Sequence, residues 1–123
     1  MERRHTPISP AQREDIYCAL SEAFVDSQVD YALIARQTQA YDRHEIKRML
    51  YEEVAPVCYP NLAAAVPPIW TGFARAPLLE DIQQWLDGLR RSRLRRAWAL
   101  VYVSWIRWRC AYIWPEITQH YPD

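Results

Sequence analysis

Apolar residues recur along this chain at steps of three and four, the spacing that stacks side chains on one face of an α-helix. Ser9 followed by Pro10, with Gln12 three residues after the serine, reads as a capping-box helix start. Ile16, Leu20 and Phe24, with Ala19 and Ala23 beside them, form the stripe behind it, and Asp26 and Ser27 interrupt it. A second helix follows, with Tyr31, Ile34, Ala35 and Thr38 on one side. Asp42 with Glu45 repeats the capping pattern and opens a third helix on Ile46, Met49, Leu50 and Val54, which Pro56 is expected to end or kink. The run CYPNLAAAVPPIWTGF is punctuated by proline and has room for one short helix from Asn61 to Val66. Pro77 opens a fourth helix that turns Leu78, Ile82, Trp85, Leu86 and Leu89 inward, and Ser92 caps a fifth that runs to about Trp114. No sustained alternation of apolar and polar residues appears. The expected fold is all-α: a single-domain bundle of about five main helices with a Pro-rich irregular segment near residues 56–76. Residues 1–8 are expected to be a disordered lead and 9–123 the helical domain.

The fifth helix carries the strongest pattern. Leu94, Trp98, Val101, Trp105, Trp108 and Tyr112 fall on one stripe, and Leu100, Val103, Ile106, Cys110 and Ile113 lie opposite. A helix that is apolar on both sides is normally buried on both, so the tryptophans are expected in the core and this helix at the centre of the bundle. Arg93, Arg95 and Arg96 sit in its first turns, where cations oppose the helix dipole and call for a partner. Three partners are considered, in order: acidic groups of the first two helices, an acidic protein, and nucleic acid.

Composition narrows the classes. The chain has 123 residues, two Gly, nine Pro and a formal net charge of zero. So few glycines exclude a Gly-rich phosphate loop. The charge is uneven: residues 1–61 hold seven Lys/Arg and ten Asp/Glu, and residues 62–123 hold eight and five. Nucleic-acid domains are usually net basic, which counts against that partner. The three cysteines, Cys18, Cys58 and Cys110, are odd in number and widely spaced, which fits a reducing compartment and a cytoplasmic protein. The longest apolar run, AWALVYVSWI, is ten residues long, short of the about 20 that a membrane span needs.

No catalytic constellation is evident. His5, His44 and His120 are not at metal-ligand spacing, and no serine sits in a nucleophile elbow. Cys18 and Cys110 lie among apolar helix positions and read as inert thiols. The pair Glu52–Glu53 stands near the end of the third helix, where anions are mildly unfavourable; it reads first as a solvated pair bridging to Lys47 or Arg48, and second as a binding feature. Trp70 and Phe73 read first as a plug over the bundle end, and second as an exposed anchor.

Three runs, ALSEAFVDSQVDYALIA (Ala19–Ala35), YEEVAPVCYPNL (Tyr51–Leu62) and IWTGF (Ile69–Phe73), resemble in the same order a family of small bacterial proteins that is a domain of unknown function. The similarity spans roughly residues 10–90, and Ala74 stands where that family has Asp after Gly-Phe. The resemblance implies a helical bacterial domain and supplies no activity. The functional expectation is therefore a protein-binding module, most concretely an immunity protein that neutralises a cognate toxin by occlusion. Its expected partner-binding residues are Glu14, Glu22, Asp26, Asp30, Glu52, Glu53 and Trp70. No enzyme activity, cofactor, metal or membrane partner is expected. The alternative is a regulatory or nucleic-acid-associated adaptor that uses the Arg90–Arg96 cluster.

Overall fold

The computed structural model describes residues 8–24, 29–63 and 75–122, with the backbone alone for 61–63. Its elements, in order, are α1 (Pro10–Ser21), a 3-10 turn (Glu22–Phe24), α2 (Tyr31–Thr38), α3 (Arg43–Met49), a π turn (Leu50–Val54), α4 (Ala55–Ala63), α5 (Arg75–Arg91), α6 (Arg93–Arg109) and α7 (Ile113–Thr118). The described residues contain no strand, so the all-α expectation holds.

The caps form where the side chains call for them. The Ser9 hydroxyl accepts from the Gln12 N–H at 3.1 Å, and the Gln12 side chain accepts from the Ser9 N–H at 3.0 Å. Asp30 and Ser92 accept from the N–H of Leu33 and Arg95, opening α2 and α6. Asp42 caps α3 through the Glu45 N–H at 3.1 Å, but Glu45 does not reach back; its carboxylate turns to Arg48 instead.

Pro56 does not end the third helix. The chain continues through it as α3, the π turn and α4 in one run. Proline lacks an N–H, so in helical register Pro56 leaves the Glu52 carbonyl without its i+4 donor, and Pro60 does the same to the Pro56 carbonyl. Two aromatic side chains fill the gaps. Trp85 of α5 donates its indole N–H to the Glu52 carbonyl at 3.0 Å, and the Tyr102 hydroxyl of α6 donates to the Pro56 carbonyl at 3.4 Å. The two rings meet edge to face, 6.2 Å between centroids. The prolines therefore tie α4 to α5 and α6 rather than breaking the rod.

The core gathers Ile16, Leu20 and Phe24 from the N-terminal helix and turn, Ile34 from α2, Ile46 and Met49 from α3, and Leu50 and Val54 from the π turn. Ile82 of α5, Ile106 of α6, and Ile113 and Ile117 of α7 complete it. The expected fifth helix is in fact two. It stops at Arg109, and α7 restarts at Ile113. Tyr51 pins this corner: its hydroxyl donates to the Cys110 carbonyl at 2.9 Å and accepts the Trp114 N–H at 3.2 Å. The C-terminus is tied to α2 by Thr38 and Tyr121, whose hydroxyls lie 2.7 Å apart.

Candidate functional site

The π turn aims three consecutive residues at three different neighbours. Tyr51 meets the α6–α7 corner, Glu52 meets Arg107 of α6 at 2.8 Å, and Glu53 turns into the bundle toward α1. Adjacent side chains on any helical turn point about 100° apart, and the residue that the π turn inserts resets the phase between α3 and α4. Glu53 is buried and accepts from the Tyr17 hydroxyl and from Arg48, at 2.9 Å for the latter, with Arg13 at 3.5 Å. Burial, together with the Glu53 hydrogen bond, pushes the Tyr17 phenol up to about 12. The Arg48 guanidinium, bonded to Glu45, holds that carboxyl below its ordinary range. Burial also pushes the Cys58 thiol up to about 12 and raises Cys110, which keeps both thiols protonated and unreactive at neutral pH. This set is internally satisfied and offers no open group to a ligand.

The expected acidic residues take up different surroundings. Glu53 is interior, Glu52 is engaged by Arg107, and Glu14 lies 3.7 Å from Arg75 in a pair shared with Asp15. Asp30 is spent on the α2 cap. Glu22 is exposed on the 3-10 turn, with no ion pair to a described residue. Asp26 and Trp70 lie outside the described residues. No group of three or more His, Cys, Asp or Glu among the described residues is placed to hold a metal ion.

The larger correction concerns α6. Its tryptophan stripe faces outward: Leu94 is 71% exposed, Trp98 68%, Val101 63% and Trp108 75%, and Trp105 and Tyr112 are exposed as well. The buried side carries Ala99, Ile106 and Cys110, continued by Ile113, while Leu100, expected on that side, is 73% exposed. Helix α6 has two apolar faces, and α4, α5 and the π turn pack against it from one side. The small side chains take that side. Trp105 keeps one inward contact, edge to face with Tyr59 at 5.3 Å.

Two hollows border the exposed stripe. On one flank a cavity of about 530 Å³ is lined by Trp85 and Leu89 of α5 and by Arg95, Trp98, Val101, Tyr102 and Trp105 of α6. On the other flank a second hollow of about 400 Å³ runs between Glu52, Leu89, Arg96, Leu100, Val103 and Arg107.

The arginines do not reach the acidic groups of α1 and α2. Arg90 pairs with Asp87 at 3.3 Å and Arg107 with Glu52. Arg91, Arg93, Arg95, Arg96 and Arg109 form no ion pair with any described residue. They flank the apolar stripe on both sides.

A family model for a domain of unknown function, DUF7079, matches residues 11–120. The chain belongs to the DUF7079 family. No curated protein and no solved structure matches it. The DUF7079 match spans the π turn, its partners on α1, α5 and α6, and the exposed face. No helix among the described residues is long and apolar enough to cross a membrane. The outward stripe was missed because periodicity gives two apolar faces and no rule for choosing between them. Residue size was the available signal: Ala99 and Cys110 permit close packing, whereas the tryptophans do not.

Proposed function

We propose that this DUF7079 domain is a protein-binding module that docks its partner on the outward face of α6. The observation that carries the reading is the stripe of Leu94, Trp98, Val101, Trp105, Trp108 and Tyr112, left open to solvent and bordered by arginines without ion-pair partners among the described residues. Monomeric proteins seldom leave so large an apolar patch uncovered, and Trp, Tyr and Arg are the residues enriched at interface hot spots. The most concrete form of the reading is an immunity protein that neutralises a toxin encoded beside it by occluding its working surface. A small domain with no reactive group assembled among its described residues supports that form, because occlusion requires only a surface. The acidic residues first expected to steer the partner are engaged internally for the most part, so the docking surface moves from the N-terminal helices to α6.

The test is co-expression with the product of the adjacent gene. Host growth should be restored by this protein, and the two products should co-purify. The double variant Trp98→Asp/Trp108→Asp should lose both effects while keeping its helical circular dichroism spectrum. If the neighbouring product is harmless alone, or is toxic whether or not this protein is present, the immunity form is wrong. If the double variant protects and co-purifies as well as the parent, the docking face is wrong.

A further inference from the structure

We propose that the element seated on α6 is an acidic amphipathic helix of the partner. Its apolar ridge fills the hollow between α5 and α6, and its carboxylates meet the arginines on either side. This rests on the protein-binding reading above and adds the chemistry of what binds.

Two observations carry it. The first is shape. The apolar surface is not a flat patch: it includes a hollow lined by Trp85 and Leu89 of α5 and by Trp98, Val101, Tyr102 and Trp105 of α6. A ridge of side chains at i, i+3, i+4 and i+7 is the shape that fills such a hollow. The second is charge. No Asp or Glu occurs from Gly88 through Pro115, while seven arginines do. Five of those seven have no ion pair among the described residues. One of them, Arg95, lines the hollow, and its guanidinium passes close to Gly88 of α5, where an added Cβ would come within 2.7 Å of Nη1.

The same observations weigh against the other occupants. In a second copy of this chain, Arg93, Arg95 and Arg96 at one end of α6 and Arg107 and Arg109 at the other would oppose arginines in either relative orientation. A bilayer surface would take the outermost residues, Trp98 and Trp108, but would not reach the half-buried Tyr102 that lines the hollow. Nucleic acid would find stacking faces on Trp98, Trp105 and Trp108, but it has no use for the aliphatic Leu94, Leu100 and Val101 between them, and the chain's formal net charge of zero lacks the positive excess usual in nucleic-acid domains.

The experiment uses the full chain and a designed helical peptide of about 18 residues, roughly five turns. The peptide carries leucines at i, i+3, i+4 and i+7 and glutamates on both flanks, and its twin carries lysine at every glutamate. Binding is read by calorimetry and by the fluorescence of the α6 tryptophans. The glutamate peptide should bind, and the lysine twin should not. Affinity should fall by about tenfold or more in Arg95→Glu/Arg96→Glu, and should also fall as salt is raised, since screening weakens exposed charge pairs. Gly88→Ala, which displaces the Arg95 side chain without removing a charge, should give a smaller loss. Several results would overturn the inference: equal binding of the two peptides, no binding of either, indifference to the arginine reversal, or preferential binding of phosphatidylglycerol vesicles or single-stranded DNA. Concentration-dependent self-association abolished by Trp98→Asp would overturn it too. The two readings fail separately. If neither peptide binds but the adjacent gene's product still needs Trp98 and Trp108 to co-purify, only the acidic-helix inference falls. If the product co-purifies without those tryptophans, the docking face itself falls.

Discussion

The rod built from α3, the π turn and α4 and the helix α6 that packs beside it are both rich in apolar and charged residues, and they treat them in opposite ways. The rod turns Ile46, Met49, Leu50, Val54 and Cys58 fully inward and finds a partner for each awkward polar group. The Glu53 carboxylate takes Tyr17, Arg13 and Arg48, and the carbonyls orphaned by Pro56 and Pro60 take Trp85 and Tyr102. Among the described residues no buried side-chain nitrogen or oxygen lacks a hydrogen-bond partner. In α6 the tryptophans stay outside, and five of the seven arginines from Arg90 to Arg109 form no ion pair with a described residue. Burying an unpaired charge is costly, whereas leaving one on the surface beside apolar groups costs little until a partner arrives. The rod satisfies its groups internally, whereas α6 leaves its stripe to solvent, and the proposed docking face rests on that difference.

The contrast can be broken most severely within α6 itself. Ile106, fully buried, should cost about 2–5 kcal/mol when cut to alanine, the range for large-to-small core changes. Chemical denaturation measures it, and a value near zero would mean that α6 is not packed on the bundle at all. Next in size is Glu53→Leu, which leaves the Tyr17 hydroxyl and two guanidinium groups without their shared acceptor; a loss of about 1–3 kcal/mol is expected for buried groups left unsatisfied. Tyr17→Phe removes only the donor and should cost about 0.5–1.5 kcal/mol.

That tyrosine also fixes a pH dependence. Its folded-state value is raised to about 12 from 10.0. Its contribution is therefore fully present below pH 10.0 and is lost as pH rises toward about 12. Glu45 works in the other direction. Its folded value is lowered from 4.5 by Arg48, so its contribution is present above pH 4.5 and is lost as pH falls through the lowered folded-state value. Denaturation midpoints against pH should fall off on both sides, and Tyr17→Phe should make the alkaline limb shallower without removing it, because burial also raises Tyr31, Tyr51, Tyr102, Tyr112 and Tyr121, and should leave the acid limb unchanged. The smallest effect belongs to the exposed face: Trp98→Ser and Trp108→Ser should each change stability by less than about 0.5 kcal/mol, as surface substitutions do. A multi-kcal loss at either would return the stripe to the core.

Most of the architecture was legible because it depends on local rules. Ser9, Asp42 and Ser92 announce their helices, and Ile16, Leu20, Ile34, Ile46 and Ile82 fall on the faces that periodicity assigns them. What failed depended on tertiary context. Pro56 looks like a stop, yet Trp85 and Tyr102, distant in sequence, supply the hydrogen bonds that let the helix pass through it. Glu52 and Glu53 look like one pair, but neighbouring helical side chains diverge, and only the packing shows that Glu52 meets α6 and Glu53 meets α1. The bridge from Arg48 to Glu52 was readable from its i+4 spacing, whereas the one to Glu53, five residues on, was not. The buried side of α6 was chosen wrongly because periodicity does not say which of two apolar stripes the neighbours cover; only residue size, at Ala99 and Cys110, pointed to it.

The claim that α6 presents its tryptophans to solvent is tested most directly by solvent accessibility at single indoles. In protein labelled with 5-fluorotryptophan, each fluorine resonance can be assigned by single Trp→Phe substitution, and a soluble paramagnetic agent added. Trp98 and Trp108 should broaden first and most, and Trp85, half-buried with its indole N–H on the Glu52 carbonyl, should broaden least. If Trp98 and Trp108 prove as protected as Trp85 in the isolated protein, the stripe is already covered by the chain itself, and α6 is a core helix rather than a docking face.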